Sequence, residues 1–162
     1  MTDQEVLQRR AVALARRKQR TDREERNEAA VFRLARERYA LDLRCLLQIF
    51  PLRELALLPG ARPPLVGLTP WRGELLRVLD LGAALGRPVS GIADRSRVLV
   101  LGSEERAEFG FQIDAVEDVI ALADSDVRPL PESDDEHARL LRGVTSDAVV
   151  VLDGDELLRN FT

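Results

Sequence analysis

The sequence predicts a mainly β protein of short strands, trimmed by a helix at each end. From Ala29 onward apolar and polar residues alternate with the period of a half-buried strand. Proline and glycine punctuate these runs closely, with Pro51, Pro59, Pro63, Pro64 and Pro70 leaving no room for a long helix in that stretch. Aromatic residues make up only 4% of the chain, so Leu, Val, Ile and Ala must supply most of the burial, which suits small layered sheets. At 162 residues and 45% apolar content, the chain can form one compact domain with its own core.

Residues 1–28 have no Gly or Pro, and Thr2 stands three residues before Glu5 in the spacing of a capping box. They predict a charged helix with a narrow stripe of Leu7, Ala11 and Leu14, suited to packing on the domain, to a partner, or to self-association. The domain proper is expected over 29–162. AAVFRLARERYALDLRCLLQIF predicts a hairpin turning over 35–38, and PLRELALLPGARPPLVGLTPWRG short strands between PG and PP turns. ELLRVLDL (74–81) is a further strand, and LGAALG a helical turn closed by Gly86.

SRVLVLGS, ERAEFGFQID and AVEDVIAL continue the strand series. SDVRPLP predicts a turn, DDEHARLL a charged loop, and RGVTSDAVVVLDG two strands around a Ser-Asp turn. DGDELLRNF closes the chain as a helix whose acidic first turn suits the helix dipole. Seven to ten short strands at this spacing indicate barrels or a sandwich.

Composition removes most chemistries. One cysteine, Cys45, permits no internal disulfide, and a single histidine, His137, offers no zinc cluster, so no metal site is expected. Cys45 lies in the apolar run CLLQIF as a small core residue, and His137 follows ESDDE as a solvated one. GxSxG, GxGxxG and GxxxxGK[ST] are absent, and His137 is poorly placed to serve a nucleophile, so neither catalysis nor a cofactor is expected. The acidic pairs Glu104/Glu105 and Asp124/Asp126 and the run Glu132 to Glu136 read as solvated turns.

Residues 1–26 carry eight basic against five acidic residues, and the total of −4 leaves −7 on the rest. The mixed signs and the lack of stacking aromatics argue against nucleic acid. No apolar run approaches the roughly 20 residues that span a bilayer, and the polar N-terminus lacks a signal segment, so a cytoplasmic location without membrane insertion is expected. What remains is a non-enzymatic binding module.

Four segments in order resemble the CheW family of chemotaxis adaptors. AVFRLARERYALDLRCLLQI (30–49) looks like the family's opening hairpin. LPGARPPLVGLTPWRGELLRVLDL (58–81) is similar to its proline-bearing approach, Asn-Leu-Arg-Gly turn and strand ending in Asp-Leu. EFGFQIDAVEDVIALADSDVRPLP (108–131) is similar to the second-barrel hairpin, and LLRGVTSDAVVVLDGDELL (140–158) to the closing strands and helix.

The resemblance implies two SH3-like five-stranded barrels that couple chemoreceptor signalling helices to the regulatory domain of a CheA-type histidine kinase, within receptor arrays at the inner membrane. It also implies roles for single residues. Arg72 matches the turn arginine that contacts the receptor, Leu46 a partner-facing apolar position, and Gln48 a position where the family usually has Glu. Gly67, Gly73 and Gly143 match turn glycines, and Asp80 the strand-ending Asp.

Pro70, Trp71 and Arg77 depart from the pattern, standing where Asn, Leu and Pro are usual. With Gln48 in place of a carboxylate and Arg77 in place of Pro, one face is expected to move two charge units in the positive direction. Trp71 with Arg72 is then the place for altered specificity. Two alternatives remain at this stage: a divergent copy that binds receptor but not kinase and limits or redirects signalling, and a small-molecule-binding β-barrel.

Overall fold

The computed structural model describes residues 8–10, 26–87, 96–104 and 106–162. Eleven strands among them form two sheets. One runs in the order β10 (Leu141–Val144), β11 (Val149–Leu152), β2 (Glu37–Asp42), β1 (Arg26–Leu34) and β9 (Ala115–Ala123), the other β3 (Leu46–Pro51), β7 (Arg97–Ser103), β8 (Arg106–Ile113), β6 (Glu74–Asp80), β5 (Leu65–Trp71) and β4 (Ala56–Leu57). Only β11 with β2 (Val149–Leu152 with Glu37–Asp42) and β6 with β8 (Glu74–Asp80 with Arg106–Ile113) pair in parallel. The architecture is the expected pair of SH3-like β subdomains, the second sheet gaining a sixth strand from the two residues of β4, Ala56–Leu57.

The opening hairpin joins β1 (Arg26–Leu34) to β2 across Ala35 and Arg36. Ala35 sits at φ 55, a left-handed conformation costly for a residue with a Cβ. Its N–H donates to Asp114 Oδ2 at 2.7 Å, and the Asp114 N–H donates to the Arg33 carbonyl at 3.1 Å. Asp114 lies between β8, in the other sheet, and β9 (Ala115–Ala123), so one residue clips the hairpin to the connection between subdomains.

Three expectations need correction. Strand β1 starts at Arg26, so residues 26–28 are not helical: they pair with Ala123, Leu122 and Ala121 of β9, and that ladder overrides their charged character. The rest of the predicted helix lies outside the described residues, except 8–10, which are helical. The loop at DDEHARLL contains a short helical turn, Glu136–Leu140, capped by Asp135 and anchored by buried Leu140. His137 there is half-buried, packs against Gly86 and shares Nδ1 with Asp135 Oδ1 at 2.9 Å, so it is not freely solvated.

The main core is shared by both sheets. Phe32, Tyr39 and Leu41 from the first meet Leu79, Leu99, Leu101, Phe109 and Phe111 from the second. The C-terminal helix Gly154–Phe161 seals this seam with Leu157, while Phe161 packs edge-on against Phe109 and Phe111 at centroid distances of 6.1 and 5.9 Å. Asp153 caps the helix by accepting from the Glu156 N–H at 3.1 Å. Gly154 lies so close to Cys45 that a Cβ would stand 2.4 Å from its sulfur. Asp80, buried at the end of β6, caps the short helix Leu81–Ala84 through the Ala83 N–H at 3.0 Å.

Truncating Leu157 to Ala should cost about 2–5 kcal/mol, read as a lower urea midpoint at unchanged slope. A second expectation concerns alkaline pH. Burial pushes the Cys45 thiol up to about 11 and the Tyr39 phenol up to about 12. Both ionise less readily in the fold than in the unfolded chain, where a thiol titrates near about 8.5 and a phenol near about 10. Their contribution is therefore complete below the unfolded values and is lost as pH rises through the folded ones. Urea midpoints should fall from about pH 8.5 upward, and Cys45→Ala should flatten the early part of that decline.

Candidate functional site

Three of the four partner-facing residues that the sequence singles out, Gln48, Trp71 and Arg72, meet at the tip of the hairpin formed by β5 (Leu65–Trp71) and β6. Trp71 closes β5 opposite Glu74, and Arg72 and Gly73 make the turn with φ 48 and 79. Two consecutive positive φ values are those of a two-residue turn whose twist matches paired strands. Glycine adopts this geometry freely, whereas a left-handed L-residue costs roughly 1–2 kcal/mol. A strained, exposed arginine is thus held at the turn of the hairpin.

Packing explains how it is held. The Trp71 ring is half-buried on a small cluster of Leu76, Val98 and Val100, with Leu47 and Phe50 beside it. Its Nε1 donates to Gln48 Oε1 at 3.0 Å, joining the end of β5 to β3 (Leu46–Pro51) across the barrel. An indole is a donor only, so the Gln48 oxygen is the partner it requires. The Arg72 guanidinium lies over the ring with Cζ 4.5 Å from a ring centroid, in cation–π geometry. Gln48, Trp71 and Arg72 thus form one stacked and hydrogen-bonded unit on a strand scaffold.

Leu46 does not join them. It is half-buried at the start of β3, opposite Leu101, and packs on the main core; a register shift separates it from Gln48. The two charge departures do not share a face either. Arg77 lies on the opposite side of β6 from Leu76, and its Nη2 donates to the Phe161 carbonyl at 2.8 Å, tying the strand to the end of the C-terminal helix. Of the three matched glycines only Gly73 is in a turn. Gly67 lies inside β5, where a Cβ would stand 2.3 Å from the Ala56 carbonyl oxygen, and Gly143 inside β10 (Leu141–Val144), 2.1 Å from that of Arg128.

Sequence reasoning missed the far side of the ring. Trp71, Glu74, Glu104, Arg106, Ala107 and Glu108 line a cleft of about 440 Å³, with Arg106 Nε 3.7 Å from Glu108 Oε1. Strands β6 and β8 and the turn at Glu104 converge there, and no local pattern announces it. Exposed Leu75, beside Glu74, adds apolar surface near the tip.

A second cleft of about 440 Å³ opens between the sheets near Asn27 and Ser103. Both arginines that line it are paired, Arg44 with Asp42 at 2.8 Å and Arg142 with Asp124 at 2.6 Å. Burial works to raise the Asp42 pKa, but hydrogen bonds and charge from Arg44 outweigh it and hold the carboxyl below its ordinary range. Among the described residues no group of three or more His, Cys, Asp or Glu is placed to hold a metal ion.

The CheW-like domain model matches residues 28–161. The chain belongs to the CheW-like domain family. A probable chemotaxis protein CheW from Rhizobium etli is 25% identical over 118 residues, covering 72% of this chain and 76% of the relative. A chemotaxis protein CheW from Bacillus subtilis is 28% identical over 102 residues, covering 63% of this chain and 65% of the relative. The crystal structure of the scaffolding protein TtCheW from Thermoanaerobacter tengcongensis superposes with a TM-score of 0.68 over 79% of this chain and 89% of that one. At 22% identity that likeness is one of fold.

Within this CheW-like domain the turn separates stability from surface chemistry. Arg72→Asn should relieve left-handed strain and lose the ring contact, two opposing effects of about 1 kcal/mol each. Thermal unfolding should therefore show nearly unchanged stability, so a binding defect in this variant reports the side chain and not the fold.

Proposed function

We propose that this protein is a non-enzymatic chemotaxis adaptor that joins chemoreceptor signalling helices to the regulatory domain of a CheA-type histidine kinase. The observation that carries the reading is the exposed Arg72, held at a strained turn by Trp71 and Gln48 within a CheW-like domain. A guanidinium fixed in this way can grip a carboxylate or a carbonyl on a partner helix. Trp71, packed on Leu76, Val98 and Val100, is the platform on which that guanidinium lies. The relatives are named as chemotaxis proteins and TtCheW as a scaffolding protein, which supports this reading.

The protein would reach receptor arrays at the inner membrane through its partners. No helix among the described residues is long and apolar enough to cross a membrane. Both arginines of the inter-sheet cleft are already paired with carboxylates, which counts against a small-molecule reading there. The receptor-only alternative loses part of its motive, because Arg77 reaches the Phe161 carbonyl on the other side of β6 instead of standing beside Gln48. The adaptor reading therefore keeps both partners.

Calorimetry against a chemoreceptor cytoplasmic fragment and a CheA regulatory domain tests the reading. Both should bind, and Arg72→Ala should weaken receptor binding by about tenfold or more, the loss of roughly 1.4 kcal/mol from one charge-assisted contact. Binding to neither overturns the proposal, and binding to the receptor alone replaces it with the receptor-only version.

A further inference from the structure

Arg72 makes no ion pair among the described residues, although Glu74 stands two positions away and Glu104 and Glu108 line the cleft beside the Trp71 ring. Here the guanidinium lies over the indole, and the indole is fixed at its other end by Gln48. Gln48 is suited to this task because it is neutral. It accepts the Nε1–H bond as a glutamate would, yet brings no negative charge to the cation.

We propose that Gln48 and Trp71 are positioning residues that keep the Arg72 charge from being neutralised by the chain's own carboxylates, so that the β5–β6 turn offers an uncompensated, preorganised cation to a partner carboxylate. The inference rests on the adaptor reading for the partner's identity but not for the device itself. Ordering a long, rotamer-rich side chain before the encounter removes part of the entropy lost on binding. Glu108 is paired with Arg106, while Glu74 and Glu104 line the cleft beside the ring, where they repel a partner that offers a carboxylate in the wrong register. The turn thereby selects for the position of a negative charge as well as its sign.

Trp71 is the only tryptophan, so its fluorescence reports the device in the free, full-length protein. A cation on the ring concentrates iodide and excludes caesium, so iodide should be the stronger quencher in the wild type. Arg72→Gln should lower the iodide-to-caesium quenching ratio by about twofold or more, and Gln48→Leu should lower it part of the way by freeing the ring. Gln48→Glu should keep the indole N–H shift in NMR spectra while also lowering the ratio. An equal ratio in wild type and Arg72→Gln overturns the inference.

A binding arm with the chemoreceptor fragment separates this inference from the adaptor reading. Trp71→Ala should cost about as much affinity as Arg72→Ala, and the double variant no more than either, because both remove one unit. Additive losses overturn the inference, since Trp71 would then be a contact in its own right. Ion selectivity that holds in a protein binding neither partner supports the device and removes the adaptor reading. Selectivity that is absent in a protein binding both does the reverse.

Discussion

The apolar seam between the two sheets is the constraint on which the rest of the structure depends. Each sheet has only a small core of its own: Ala29, Val31, Ala40, Leu122, Val149 and Val151 in one, Leu76, Val98 and Val100 in the other. Fully burying one large apolar side chain stabilises a fold by roughly 1.5–3 kcal/mol, and many are needed to offset the ordering of the backbone. Clusters this small cannot hold either sheet alone. The shared set, from Phe32 and Tyr39 to Phe109, Phe111 and Leu157, supplies the burial for both, which makes the subdomains one folding unit.

Several local devices serve that seam. Asp114 clips the opening hairpin to the β8–β9 connection, and the C-terminal helix closes the far side with Leu157 and Phe161. Gly154 lets the helix start against Cys45, and Gly110 lets β8 pass the Val98 side chain, where a Cβ would stand 2.5 Å away. The β5–β6 turn stands apart from that seam, on the private core of the second sheet, where Trp71 packs. Substitution at Arg72 therefore alters surface chemistry without touching the shared core that holds the fold.

Much of the fold is legible in the sequence because strand periodicity and turn residues are local signals. β1, β2, β6, β8, β10, β11 and the closing helix follow from alternation, punctuation and an acidic first turn. The errors fall where distant pairing wins. Arg26–Glu28 carry the charge of the helix-like arm yet enter a ladder with β9, and Glu136–Leu140 read as a loop until buried Leu140 anchors them. Leu46 lies two positions from Gln48 in sequence, but a register shift in β3 separates them and Leu46 packs, half-buried, on the main core.

By itself the sequence determined the class of strands, the exposed turn at Arg72 and the lack of catalytic motifs, since each depends on residue type over a few positions. Only the tertiary structure decided that Trp71 bonds Gln48, 23 residues away, that Arg72 stacks on the ring instead of pairing with a nearby carboxylate, and that Arg77 belongs to the C-terminal helix. Strand order brings these side chains together, and strand order is set by the pairing of distant segments around the shared core. No local pattern carries that information.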